Sequence, residues 1–256
     1  MLAGMFRCTS PNFRIVAALC LLSITALSAH TPSAERSAEL PDAFADERII
    51  FQSAVKELRS GAGPRYESRR AALNNYPLTP YLDALAIEGN LHDVTSDSVR
   101  AFVESASNSP VAARTLRSVV RHKTADRKWQ TVIDVTDGYE LSTELQCHRA
   151  HALLMTNQAE RATTILTHVW VVGQSQIKAC DPVFSEWYRR SGPSDEVVWS
   201  RALKAADARN MTLLRYLKRF ASTGLKPSLS DLGAMVSRPD RVTQKTRGAI
   251  VRQQDI

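Results

Sequence analysis

The strongest constraint on the fold is a rhythm. Apolar residues recur at helical spacing in runs of about ten to fourteen residues, and each run carries its own start and stop signals. Val99, Phe102, Val103 and Ala106 lie on one helix face, with Ser96 or Ser98 expected as the cap. Ser109-Pro110 opens the next run and Asp181-Pro182 a later one, proline sitting where its missing N–H costs nothing. Ala159, Ala162, Ile165, Leu166, Val169 and Trp170 form a further face, and Val183, Phe184, Trp187 and Tyr188 another, closed by Arg189-Arg190-Ser191-Gly192-Pro193. Ser194, followed by Asp195 and Glu196, begins the next helix with acids at its positive end, and Asn210 caps Leu213, Leu214, Leu217 and Phe220. No stretch alternates with period two between hairpin turns, so strands are not required.

Short helices joined by short loops predict an all-α fold of stacked helical hairpins forming a curved, TPR-like superhelical solenoid. A strict tetratricopeptide signature is absent, yet residues 143–170 keep the design: two helices, alanines at the crossing and an Asn157-Gln158 turn. The tryptophans at 129, 170, 187 and 199 fall on apolar faces and are assigned to the core. Tyr76 and Tyr81 flank the prolines of "NYPLTPYL" and are assigned to packing of that junction rather than to sugar stacking.

Ahead of the helices, Arg7 and Arg14 precede an apolar run from Ile15 to Leu27 that ends in small residues at Ser28 and Ala29. This is the layout of a secretory signal peptide, and at about thirteen residues the run falls short of the roughly twenty that span a bilayer. The expected domain plan is a signal peptide over 1–29, a flexible leader over 30–41, a superhelical domain over 42–222 and an incomplete continuation of the array over 223–256. The expected location is the periplasm, with no stable membrane span after cleavage. A formal charge of +7 falls to about +5 once Arg7 and Arg14 are removed with the signal peptide, a balance that favours anionic partners. For an exported protein these are the cell wall or a membrane surface, not nucleic acid.

Cleavage would leave Cys147 and Cys180 as the remaining cysteines, and in an oxidising compartment two such cysteines pair by default. Closing a loop of about thirty-three residues stabilises a fold by roughly 3–4 kcal/mol in the chain-entropy account. Zinc is the weaker alternative. His148, His151 and Glu144 could share one helix face, but no CxxC or HExxH accompanies them, and a polar stripe between helices accounts for them equally. No histidine stands ready to activate either thiol, so no metal, cofactor or cysteine nucleophile is expected.

Four segments carry a resemblance. "NNYPLTPYLDALAI" at 74–87, "SPVAARTLRSVVRHKTADRKWQTVID" at 109–134, "ELQCHRAHALLMTNQAERA" at 144–162 and "VVGQSQIKACDPVFSEWYRRSG" at 171–192 resemble, in order, the N-terminal helical region of soluble lytic murein transglycosylases. The resemblance implies helical hairpins curled into a U or ring in the periplasm, with the matching cysteines bonded. It also implies an activity located elsewhere. Family members cleave murein glycan with one glutamate in a lysozyme-like C-terminal domain, inside a Glu-Ser motif followed by Gly-Leu-Met-Gln. Here Glu67-Ser68 and Glu104-Ser105 lack that continuation, so no catalytic residue is nominated and the catalytic domain is expected to be missing.

The expectation is therefore the scaffold region of a lytic transglycosylase, truncated and inactive alone. The alternative is a periplasmic helical-repeat scaffold that binds proteins and has no part in glycan cleavage. Peptidoglycan, a catalytic lysozyme-like domain or another periplasmic protein are the expected partners. The candidate glycan- or anion-binding face is Arg114, Arg117 and Arg121, spaced i, i+3, i+7 on one helix, because arginine's fork matches the carboxylates of murein stem peptides. A solvated face paired to acids on a neighbouring helix is the competing account of the same residues.

Overall fold

The structure, a computed structural model, describes residues 43–239; the expected signal peptide and leader lie outside them. Among the described residues there are twelve α-helices and no strands. In chain order these are α1 (Ala45–Arg59), α2 (Pro64–Ala71), α3 (Thr79–Gly89), α4 (Ser96–Ser105), α5 (Pro110–Ala125) and α6 (Trp129–Thr136). There follow α7 (Thr143–Met155), α8 (Ala159–Trp170), α9 (Asp181–Arg190), α10 (Asp195–Asp207), α11 (Met211–Leu217) and α12 (Leu225–Ser237).

The principal packing partners of every helix are one or two positions away in the chain: α1 with α2 and α3, α5 with α6 and α7, α7 with α8 and α9, α10 with α11 and α12. An array that buries each hairpin only against its neighbours is a solenoid by construction. Its apolar interior is correspondingly segmented. Ala54, Tyr66, Leu73, Tyr76 and Leu82 close over α1–α3. Ala84, Phe102, Val111 and Ala112 join α3 to α5. The largest cluster runs from Val99 to Leu229. Leu229, 1% exposed, docks α12 against the array, so part of the expected incomplete continuation is a packed helix.

Several starts follow the sequence reading. The side chains of Ser109, Ser194 and Asn210 accept from the backbone N–H groups of Val111, Val197 and Leu213. Two starts differ. Helix α4 is capped by Thr95, not Ser96 or Ser98, because Thr95 is the residue still in extended backbone and its hydroxyl accepts from Ser98 N–H at 3.2 Å. At α9, Asp181 is the first helical residue and not a cap. A 3-10 turn over Lys178–Cys180 runs straight into the helix and leaves no extended residue to cap it.

Three helices stop in the same way. Arg127, Asn157 and Arg209 adopt positive φ of 57°, 59° and 50°. In each case the following N–H returns to the carbonyl five residues back: Lys128 to Lys123, Gln158 to Leu153 and Asn210 to Ala205, all at 2.8 Å. This is the Schellman closure, and the next helix begins one residue later, so α5–α6, α7–α8 and α10–α11 share one tight turn. The left-handed position costs a non-glycine residue about 1–2 kcal/mol, offset here by two satisfied carbonyls per turn.

Candidate functional site

Cys147 on α7 and Cys180 in the 3-10 turn before α9 are disulfide-bonded, with Cα atoms 5.1 Å apart and a sequence separation of 33. Both are essentially buried, at 1% and 0% exposure. The bond ties α7 to the start of α9 across the intervening α8. Next to it lies an aromatic core: Trp170 meets Trp187 and Phe220 edge-on at 6.0 and 5.8 Å, and its indole N–H donates to the Tyr188 hydroxyl at 2.7 Å. Trp170 and Trp187 are core residues as expected, whereas Trp129 and Trp199 are only partly buried at its margin. Tyr76 is buried against Phe44 and Phe51, and Tyr81 is exposed.

The arginine face on α5 is assembled, and it is paired. Arg114 Nε lies 3.4 Å from Glu88 on α3, Arg117 Nε lies 3.6 Å from Glu144 on α7, and Arg121 Nε also bonds Glu144. Glu88 and Glu144 are the more buried partners, and the three arginine side chains remain 44–61% exposed. The positive charge thus faces solvent with a carboxylate behind each guanidinium, which reduces the field an anionic polymer would meet.

Glu144 is already occupied by two arginines, and it stands 4.0 Å from His148. Burial pushes the His148 and His151 imidazoles below their ordinary pKa, and His151 packs against Trp129 at 5.0 Å. The residues whose ligand atoms do converge, within 4.8 Å, are His92, His122 and Asp126. His92 stands in the α3–α4 loop and the other two on the last turn of α5 and just after it. The sequence carries no spacing that would unite them. The buried Lys123 ammonium donates to the His92 carbonyl at 2.8 Å, so a cation already holds this loop and opposes a second.

No candidate general acid is formed by the Glu-Ser pairs. Glu67 is exposed, and Glu104 is exposed with the Tyr139 hydroxyl donating to it at 3.3 Å. Glu186 is pulled down to about 2 by hydrogen bonds from Arg189 and Arg190, the opposite direction from an acid that must stay protonated. Among the described residues, no helix is long and apolar enough to cross a membrane.

Comparison with known proteins decides the relationship. Soluble lytic murein transglycosylase of Escherichia coli K12 is 30% identical over 187 residues, covering 72% of this chain and 29% of the relative. The Salmonella typhimurium protein of the same name is 33% identical over 141 residues, covering 55% of this chain and 22% of the relative. The chain is a relative of the soluble lytic murein transglycosylases. Solved structures agree on an all-α superhelical fold. The 70-kDa soluble lytic transglycosylase of Escherichia coli matches with a TM-score of 0.58 at 23% identity, over 78% of this chain and 32% of that one. An inactive mutant of the Pseudomonas aeruginosa lytic transglycosylase matches with a TM-score of 0.55 at 26% identity, over 77% and 32%. This chain thus spans less than a third of the length of these lytic transglycosylases. A family model described as Cucumovirus coat protein also matches residues 154–248. It covers less than half of the chain and begins near the end of α7.

Proposed function

We propose that this helical array is the peptidoglycan-directed scaffold of a periplasmic lytic transglycosylase, and that it cleaves no glycan by itself. The observation that carries this reading is 30% identity to a murein transglycosylase over 72% of the chain. The domain plan of signal, leader, superhelix over 42–222 and continuation over 223–256 is part of the proposal. So are the lysozyme-like catalytic partner and the peptidoglycan substrate. Inactivity alone is supported by the exposed settings of Glu67 and Glu104 and by the depressed pKa of Glu186.

Two measurements test it. The oxidised chain should be retained on purified sacculi at low salt and released as salt rises; no retention removes wall binding. Incubation with murein should yield no anhydro-muropeptides, and their appearance removes inactivity. The paired state of Arg114, Arg117 and Arg121 favours the second reading, a protein-binding scaffold without a glycan role. That reading prevails if sacculi do not retain the chain while a periplasmic protein partner does.

A further inference from the structure

Among the described residues two side-chain cations are buried without an ion pair: Lys123, whose ammonium is taken up by the His92 carbonyl, and Arg201. Arg201, in the middle of α10, is 4% exposed and makes no ion pair among the described residues. Its guanidinium lies over the Trp170 indole, 4.4 Å from the ring centroid, and its Nη2 donates to the Gln174 carbonyl at 3.1 Å. Its Nε is buried with no hydrogen-bond partner. A planar donor fork is therefore held by stacking, by one backbone contact and beside the Tyr188 hydroxyl, with its Nε proton unspent.

Arg201 lines a cavity of about 280 Å³. Ser175 and Gln176 come from the segment before α9, Phe184 and Tyr188 from α9, and Thr212 and Tyr216 from α11. The walls are fixed. Gly173 packs so closely on α10 that a Cβ there would run into the Lys204 carbonyl, and Asn210 ties the two parts together by donating to the Gly173 carbonyl at 3.2 Å. The disulfide at Cys180 anchors the start of α9. Asp181 contributes the only carboxylate of the lining, and it forms no ion pair with Arg201. The volume sits just under the roughly 300 Å³ at which small-ligand sites begin, which suits a terminal group and excludes a glycan chain.

We propose that this cavity binds the terminal carboxylate of a short peptide, with the guanidinium of Arg201 as its anchor and Tyr188 and Tyr216 flanking the adjoining residue. Resting on the reading above, the ligand is the stem peptide of peptidoglycan. The array then holds murein by its peptide ends in a recess, not by the screened arginines of α5.

The test titrates the oxidised chain with a soluble muramyl tetrapeptide ending in D-alanine and with the same peptide as its C-terminal amide, following tryptophan fluorescence, since Trp170 stacks on the anchor. The free acid should bind and the amide should bind on the order of tenfold to a hundredfold more weakly. Arg201→Met, which keeps the apolar stem, should lose the preference for the acid while melting as one cooperative unit. Equal binding of acid and amide overturns the proposal, as does parental binding by Arg201→Met. The acid–amide comparison needs no variant, so a misfolded substitution does not decide the matter. Sacculus retention without acid binding removes this site and leaves the proposed function. Acid binding without sacculus retention does the reverse.

Discussion

Arg117 and Arg121 stand half-exposed on α5 and share Glu144, whereas Arg201 on α10 is buried and has an indole face and a carbonyl in place of a carboxylate. The difference lies in what surrounds each charge. On α5, water screens the arginines and an acid on the adjacent hairpin neutralises them, so neither the pairs nor the face should carry much energy. On α10, desolvation pushes the Arg201 pKa down against the raising influence of Tyr188 and Tyr216. Burial there is tolerated because aromatic rings of three helices close around it. Charge at the surface of a helical array is cheap and weakly informative; charge inside it marks a place where something is held.

That contrast can be broken most forcefully at the aromatic platform. Trp170→Ala removes a fully buried ring that touches Trp187, Phe220 and Arg201. It should cost about 3–5 kcal/mol, read as a lower denaturation midpoint. Replacing Cys147 and Cys180 together by serine should cost about 3–4 kcal/mol by the same measurement, and reductant should no longer shift the midpoint. Glu144→Gln tests the opposite region. Freeing Arg117 and Arg121 should change stability by about 1 kcal/mol or less and should raise retention on sacculi at low salt. Unchanged retention would mean that the α5 face does not meet the wall.

The smallest effect is on pH. Burial depresses the His148 and His151 pKa values below the ordinary 6.5, so the unfolded chain binds more protons than the folded one just below that value. Stability from this source is complete above about pH 6.5 and is lost as pH falls through the depressed values. Denaturation midpoints at pH 7.5 and pH 5.5 should differ in this direction. Substituting both histidines by glutamine should flatten the difference, and a parent midpoint that rises on acidification would refute the assignment.

Much of this was legible in the sequence for a physical reason: caps, prolines and apolar spacing are local. Ser109, Ser194 and Asn210 do at each start what their residue types do best. The spacing of Arg114, Arg117 and Arg121 was equally readable. Their partners were not, because Glu88 and Glu144 reach them from neighbouring helices. Left-handed Arg127 and Arg209 were illegible, since that conformation belongs by preference to glycine or asparagine and only the returning hydrogen bonds reveal it. Arg201 sits in a run that reads as an ordinary charged helix face. Its burial depends on Trp170, thirty-one positions earlier, and on Gln174 in the irregular segment between α8 and α9. The convergence of His92 with His122 and Asp126 likewise arises only when a loop folds back on the end of α5.

The bond between Cys147 and Cys180 also sets how the chain would respond to force. Tension applied along the polypeptide crosses from α7 to α9 through two sulfur atoms, and α8 with its flanking segment forms a slack loop outside the load path. The residues in that loop cannot be drawn out until the sulfurs part. Under pull the array should therefore yield outside this stretch first, and a single-molecule trace should lengthen by those residues only when a thiol reductant is present.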